Sequence, residues 1–94
     1  MAAKLEWTLP ALADLEAAFL YIFDDNPSAA RGVRDRIRQS TERLADFPES
    51  GRPGRREGTR ELVIPGLPYI IVYRIRGERV QLLRVLHTSR RWPS

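Results

Sequence analysis

The chain has 94 residues, with sixteen Lys and Arg against twelve Asp and Glu, a formal net charge of +4, one histidine and no cysteine. That length holds one domain, expected to span residues 1–94. The composition excludes disulfides, thiolate metal sites and histidine-based metal clusters, so no metal or cofactor is expected. No run approaches the ~18 apolar residues of a membrane span and the N-terminus lacks a signal-peptide pattern, which points to the cytoplasm and to no membrane partner.

The charge is unevenly spread. Residues 1–49 carry six basic and nine acidic groups, whereas residues 50–94 carry ten basic and three acidic, so the halves net −3 and +7. Fifteen of the sixteen basic residues are Arg, whose planar fork suits bidentate contact with phosphate or carboxylate. An anionic partner facing the C-terminal half is expected. A domain this small buries little apolar area, so a stabilising partner is expected too.

In chain order, "KLEWTL" (4–9) reads as a short opening strand with Leu5 and Trp7 on one face. Thr8 then caps a helix that has Pro10 in its first turn, where the missing N–H costs nothing. Leu12, Leu15, Phe19, Ile22 and Phe23 fall on one stripe at helical spacing and are the candidate core face. Leu20 and Tyr21 lie off that stripe, as flank residues or part of a partner surface. "DDNP" breaks the helix, and Asn26 followed by Pro27 starts a second one. Its core side is read as Ala30, Val33, Ile37, Leu44 and Phe47, with Thr41 between, and Pro48 ends it. A break this short makes the two helices an antiparallel hairpin.

"PESGRPGRREG" (48–58) is a flexible loop rich in Gly, Pro and Arg. Three strand-like runs follow, "TRELVI", "YIIVYRIR" and "VQLLRVLH", joined by "PGLP" and "GER", turns of hairpin length. The last two are apolar on both faces, as strands in the middle of a sheet are. The expected fold class is α+β: a strand, a two-helix hairpin, then a three-stranded antiparallel meander forming a small sheet, in the order β-α-α-β-β-β.

Alternation along the last run puts Arg84 with Leu82 and Leu86, and His87 with Val85 and Leu83. Arg60, Arg74 and Arg84 can then converge on one sheet face beneath Arg52, Arg55 and Arg56 of the loop. The other reading is that Arg74 and Arg84 pair with Glu61 or Glu6 across strands. For RNA cleavage the candidates are His87 as the group titrating near neutrality, Glu49 or Glu57 as bases, Arg60 and Arg90 as phosphate clamps, and Trp92 to stack on a base. No spacing enforces that set, and no glycine-rich phosphate loop precedes a helix.

Taken together, "AAFLYIFDDNPSAARGVRDRI", "LADFPESGRPG", "TRELVIPGLPYIIVYRI" and "VQLLRVLHTSRRWP" closely resemble the ParE/RelE toxin superfamily of type II toxin–antitoxin modules. The resemblance spans nearly the whole chain and rests most on "NPSAA", "PGLPYIIVYRI" and "RVLHTSRR". It implies a helical hairpin on an antiparallel sheet and a cognate ParD-like antitoxin. That antitoxin would wrap the toxin with one segment and bind operator DNA with another, so contact with DNA is indirect. It would meet Leu20, Tyr21, Arg52, Arg55, Arg56 and Arg60. ParE-like members poison DNA gyrase and RelE-like members cut mRNA on the ribosome. RelE-like chains carry an arginine where this one has Ile70, and a tyrosine follows their late arginine where this chain has Trp92 after Arg90. The resemblance is therefore nearer to ParE, with gyrase as the expected target and ribosome-dependent mRNA cleavage or a non-toxic basic binding domain as alternatives; no catalytic residue is assigned beyond the ribonuclease candidates Arg60, His87 and Arg90. Arg74, Arg84, His87, Arg90, Arg91 and Trp92 are the expected target-binding surface. Replacing Arg90 and Arg91 together is expected to weaken growth inhibition on induction without the antitoxin, through lost anionic contacts. Full inhibition by that variant removes the tail from the site.

Overall fold

The computed structural model describes residues 2–89. The elements are β1 (Lys4–Trp7), α1 (Leu9–Phe23), α2 (Pro27–Asp46), β2 (Arg52–Pro53), β3 (Arg60–Val63), β4 (Tyr69–Arg76) and β5 (Arg79–His87). The expected order is observed, with a two-residue edge strand, β2, added inside the loop. The five strands lie in the order β1-β5-β4-β3-β2, antiparallel except that β1 runs parallel to β5. The first and last strands of the chain are therefore neighbours.

Local chemistry sets the helix starts as expected. Thr8 Oγ1 accepts from the Ala11 N–H at 3.4 Å and donates to the Leu82 carbonyl at 2.7 Å, so the cap of α1 is also a tie to β5. Asn26 Oδ1 accepts from the Ala29 N–H at 3.1 Å and Pro27 opens α2. Gly77, with φ +58, makes the tight β4–β5 turn, a backbone region that other residues rarely enter.

The helices cover one face of the sheet. Leu15, Ile37 and Leu44 pack there on Ile71, Tyr73, Val80, Leu82 and Val85. The stripe expected on α1 is rotated: Ala11 and Leu15 are buried and Ala18 half-buried, while Leu12 and Phe23 are exposed. Small residues let the helix lie close to the sheet, and the large ones next to them are left facing outward. On α2 the buried set is Ala30, Ile37, Thr41 and Leu44, and Phe47, at the C-cap, is exposed.

A β-bulge corrects the faces expected on β5. Tyr73 stands opposite Leu82 but Val72 stands opposite Arg84, so Leu83 has no partner in β4. One extra residue reverses the alternation beyond it. Leu82 and Val85 both face the helices, and Arg84 and Leu86 share the register of the other face. There Val72 and Leu86 are buried although no helix covers them. The loop after β2 does so: the Arg55 N–H donates to Glu61 Oε2 at 3.3 Å, and Arg55, Glu61, Ile70, Val72 and Leu86 line one small recess.

Tyr73 fixes where the helical layer returns to the sheet. It is fully buried; its hydroxyl donates to the Pro48 carbonyl at 2.7 Å and accepts from the Gly51 N–H at 2.9 Å. A Cβ at residue 51 would stand 2.6 Å from that hydroxyl, so only glycine fits. Burial pushes the Tyr73 hydroxyl above its ordinary value of 10, with the Gly51 bond opposing. A pKa raised on folding adds stability that is whole below pH 10 and is lost as pH rises through the folded value. Tyr73→Phe is expected to cost about 1–3 kcal/mol at neutral pH, read as a lower urea midpoint, and to flatten the loss of stability on the alkaline side.

Candidate functional site

The arginines singled out in the sequence do not converge. Arg60 shares the helix-side register of Tyr73, and its Nη1 donates to the carbonyls of Gly51 at 2.8 Å and Glu49 at 3.3 Å. It braces the turn that Tyr73 holds, on the opposite face from Arg74. Arg74 Nε donates to Gln81 Oε1 at 2.6 Å, and the Gln81 amide donates in turn to Glu6, which also accepts from Arg79 Nη1 at 2.9 Å. The Gln81 bond, and after it Arg79, holds the Glu6 carboxyl below its ordinary value. The expected pairing of Arg74 with Glu6 is thus made through Gln81. Arg84 makes its ion pair with a helix residue.

Its partner is Asp14 on α1. Arg84 Nε and Nη2 reach the two carboxylate oxygens at 2.7 and 3.1 Å, and the Val85 N–H donates to the same group at 3.0 Å. The cause lies in the sheet edge. β1 ends at Trp7 opposite Leu82, so from there on β5 has no strand on that side. Asp14 takes the place of the missing carbonyl, and the Arg84 guanidinium neutralises it. The same bond holds the Arg84 guanidinium above its ordinary value. In the basic loop, Arg52 bridges the buried Glu61 at 3.2 Å, and the Arg56 carbonyl accepts from the Thr59 N–H and hydroxyl at 3.1 and 2.6 Å.

A cleft of about 470 Å³ opens between α1 and the ends of β4 and β5. Its walls include Asp14, Ala18, Tyr21, Tyr69, His87 and Ser89. His87 stands opposite Tyr69, the two rings edge to face with centroids 5.4 Å apart. His87 Nδ1 accepts from the Ser89 N–H at 3.1 Å and lies 2.7 Å from the Ser89 hydroxyl, which puts the proton of the neutral ring on Nε2. The histidine thus closes its own strand, as well as lining the cleft. The structure brings His87 together with Tyr21, two residues that the sequence singled out for different roles. It adds Asp14 and Tyr69, which went unnoticed. The signal for Asp14 was available, since it lies between Ala11 and Ala18 on the inner flank of α1, a flank that is otherwise apolar; its partner was not. Arg90, Arg91 and Trp92 lie outside the described residues. Among the described residues no cluster of three or more acidic or histidine side chains is arranged to hold a metal, and no helix is long and apolar enough to cross a membrane.

Comparison with known proteins places this architecture. The chain is 47% identical over 90 residues to Y4kP of Sinorhizobium fredii, a toxin by name, covering 96% of this chain and 93% of that one. It is 35% identical over 88 residues to toxin RelE2 of Caulobacter vibrioides, covering 94% and 98%. A chain from the chromosomal ParDE toxin–antitoxin system of P. aeruginosa superposes with a TM-score of 0.84 at 27% identity, covering 92% of this chain and 96% of that one. A chain from the RelBE2 toxin–antitoxin complex of Mycobacterium tuberculosis superposes with a TM-score of 0.62 at 26% identity, covering 93% and 99%. The family described as the ParE toxin of the type II toxin–antitoxin system parDE matches residues 5–92. With that match running from the first strand past the last, the chain belongs to the ParE toxin family of type II toxin–antitoxin systems.

Proposed function

We propose that this toxin acts by binding and inhibiting DNA gyrase and is held inactive by a ParD-like antitoxin. The observation that carries the reading is the interior of the sheet face away from the helices. A phosphodiester-cleaving site needs cations aimed at one phosphate and a proton donor and acceptor on either side of it. Here the middle of that face is Ile70, Val72 and Leu86 under the basic loop. Arg60 is spent on loop carbonyls on the other face, Arg74 on Gln81 and Arg84 on Asp14. The better superposition on the ParDE chain than on the RelBE2 chain, at nearly equal identity, supports the same side. The basic loop with Arg52, Arg55 and Arg56, and the exposed Leu20 and Tyr21, are surfaces suited to the antitoxin. A segment that orders itself along them would bury apolar area and meet the arginines.

Purified toxin added to gyrase and relaxed plasmid is expected to reduce supercoiling and to trap cleaved DNA. Unchanged supercoiling with discrete cuts in ribosome-bound mRNA, mapped by primer extension, would transfer the chain to the ribonuclease reading. His87→Gln is expected to keep growth inhibition within about threefold of the parent. A loss of a hundredfold or more, the range of a missing general acid, would make the imidazole a proton carrier instead.

A further inference from the structure

The sheet face away from the helices carries a row of cations that neither the core nor the basic loop accounts for. Lys4 of β1 stands beside Arg79 of β5, and Arg79 stands opposite Arg76 of β4. Their neighbours Leu5, Val80 and Ile75 pack into or against the core, so the three cations face the other way. With strands about 4.8 Å apart, the row runs about 10 Å across the sheet. All three residues are exposed.

Sheets avoid this arrangement. Like charges directly opposite one another on neighbouring strands are destabilising, and here the repulsion is repeated on both sides of Arg79. Compensation is slight. Glu6, one row further along, accepts from Arg79 Nη1 at 2.9 Å and from Gln81, which Arg74 holds in turn. Glu78 in the turn is exposed, and among the described residues no ion pair includes Glu78, Lys4 or Arg76. The backbone beneath the row is fixed. The Lys4 N–H donates to the Glu78 carbonyl at 2.8 Å and the Ala3 N–H to the Ala45 carbonyl at 2.7 Å, which ties the start of β1 to the β4–β5 turn and to α2. A line of uncompensated cations on a fixed backbone is preorganised for a linear polyanion.

The side chains present narrow that polyanion. Neither this row nor the next, formed by Glu6, Gln81 and Arg74, contains an aromatic residue. Nothing there can stack on splayed bases, as binders of single strands do. The chemistry left is contact with phosphates, without reading of bases.

We propose that Lys4, Arg76 and Arg79 make a direct, sequence-independent contact with the phosphate backbone of double-stranded DNA. The choice of DNA over duplex RNA rests on the gyrase reading, since an inhibitor that traps cleaved DNA works beside a duplex. The contact is separate from any binding of operator DNA by the antitoxin, and it uses neither the basic loop nor the helices.

The test is a titration of a short fluorescent DNA duplex with the full chain, followed by anisotropy over a series of salt concentrations with no gyrase present. Lys4→Ala with Arg76→Ala is expected to weaken binding about tenfold at low salt and to reduce the slope of log affinity against log salt by about 2. Arg79 is left in place so that Glu6 keeps its partner. Arg31→Ala with Arg38→Ala, on the exposed face of α2, removes the same charge and is expected to change the affinity by less than about twofold. Both variants are expected to keep the parent's thermal midpoint, because all four side chains are exposed. An equal loss in the two variants would reduce the effect to net charge and overturn the proposal, as would an unchanged affinity in the first. Tighter binding of a duplex RNA of the same sequence would also overturn it. A chain that inhibits gyrase without this contact sinks the present proposal alone, and one that binds the duplex without inhibiting gyrase sinks the gyrase reading alone.

Discussion

The hydroxyl of Tyr73 is the point on which the two layers of the molecule are joined. It is buried in a central strand, yet both of its hydrogen bonds go to the backbone of one turn, at Pro48 and Gly51. A buried hydroxyl without partners would cost a few kcal/mol, on the order of the net stability margin of a small domain. The turn is therefore held to one geometry, which starts β2 beside β3 and sends the basic loop across the far face of the sheet. Arg60 grips the same turn from the neighbouring strand. The placement of Arg52, Arg55 and Arg56 follows from a tyrosine in β4, 22 residues beyond Gly51 in the chain.

Asp14 and Arg84 do for the other edge what Tyr73 does for the turn. β5 is longer than β1, and the uncovered part of its edge would otherwise carry an unpaired N–H and an open invitation to a foreign strand. The carboxylate accepts that N–H and binds the guanidinium two-pronged. The consequence for function is subtraction: an arginine that alternation alone offers as a phosphate contact is absorbed into the scaffold.

Much of the fold was legible in the sequence because its signals are local. Thr8, Asn26 with Pro27, and Gly77 each fix a boundary through chemistry within three or four residues. What was not legible depends on distance. Periodicity marks faces but not neighbours, so it could not say that Arg60 and Arg74 lie on opposite sides, or that Arg84 meets a residue seventy positions earlier. The bulge at Leu83 has no sequence marker, and it reverses every face assigned after it. On α1 the eye is drawn to leucine and phenylalanine, whereas close packing against the sheet selects alanine. The site suffered for the same reasons, since His87, Tyr21, Tyr69 and Asp14 come from three separate elements.

The parallel pairing of β1 with β5 also governs when the protein exists at all. The opening strand has only one neighbour in the sheet, and that neighbour, β5, is the last of the described strands in chain order. Until residues 79–87 are available, Leu5 and Trp7 have no strand to lie against and the cap at Thr8 has no carbonyl from Leu82. Contacts spanning nearly the whole chain are slow to form and come late. The start of α1 is therefore fixed by residues at the far end of the fold, and loss of β5 would release both the opening strand and the helix cap.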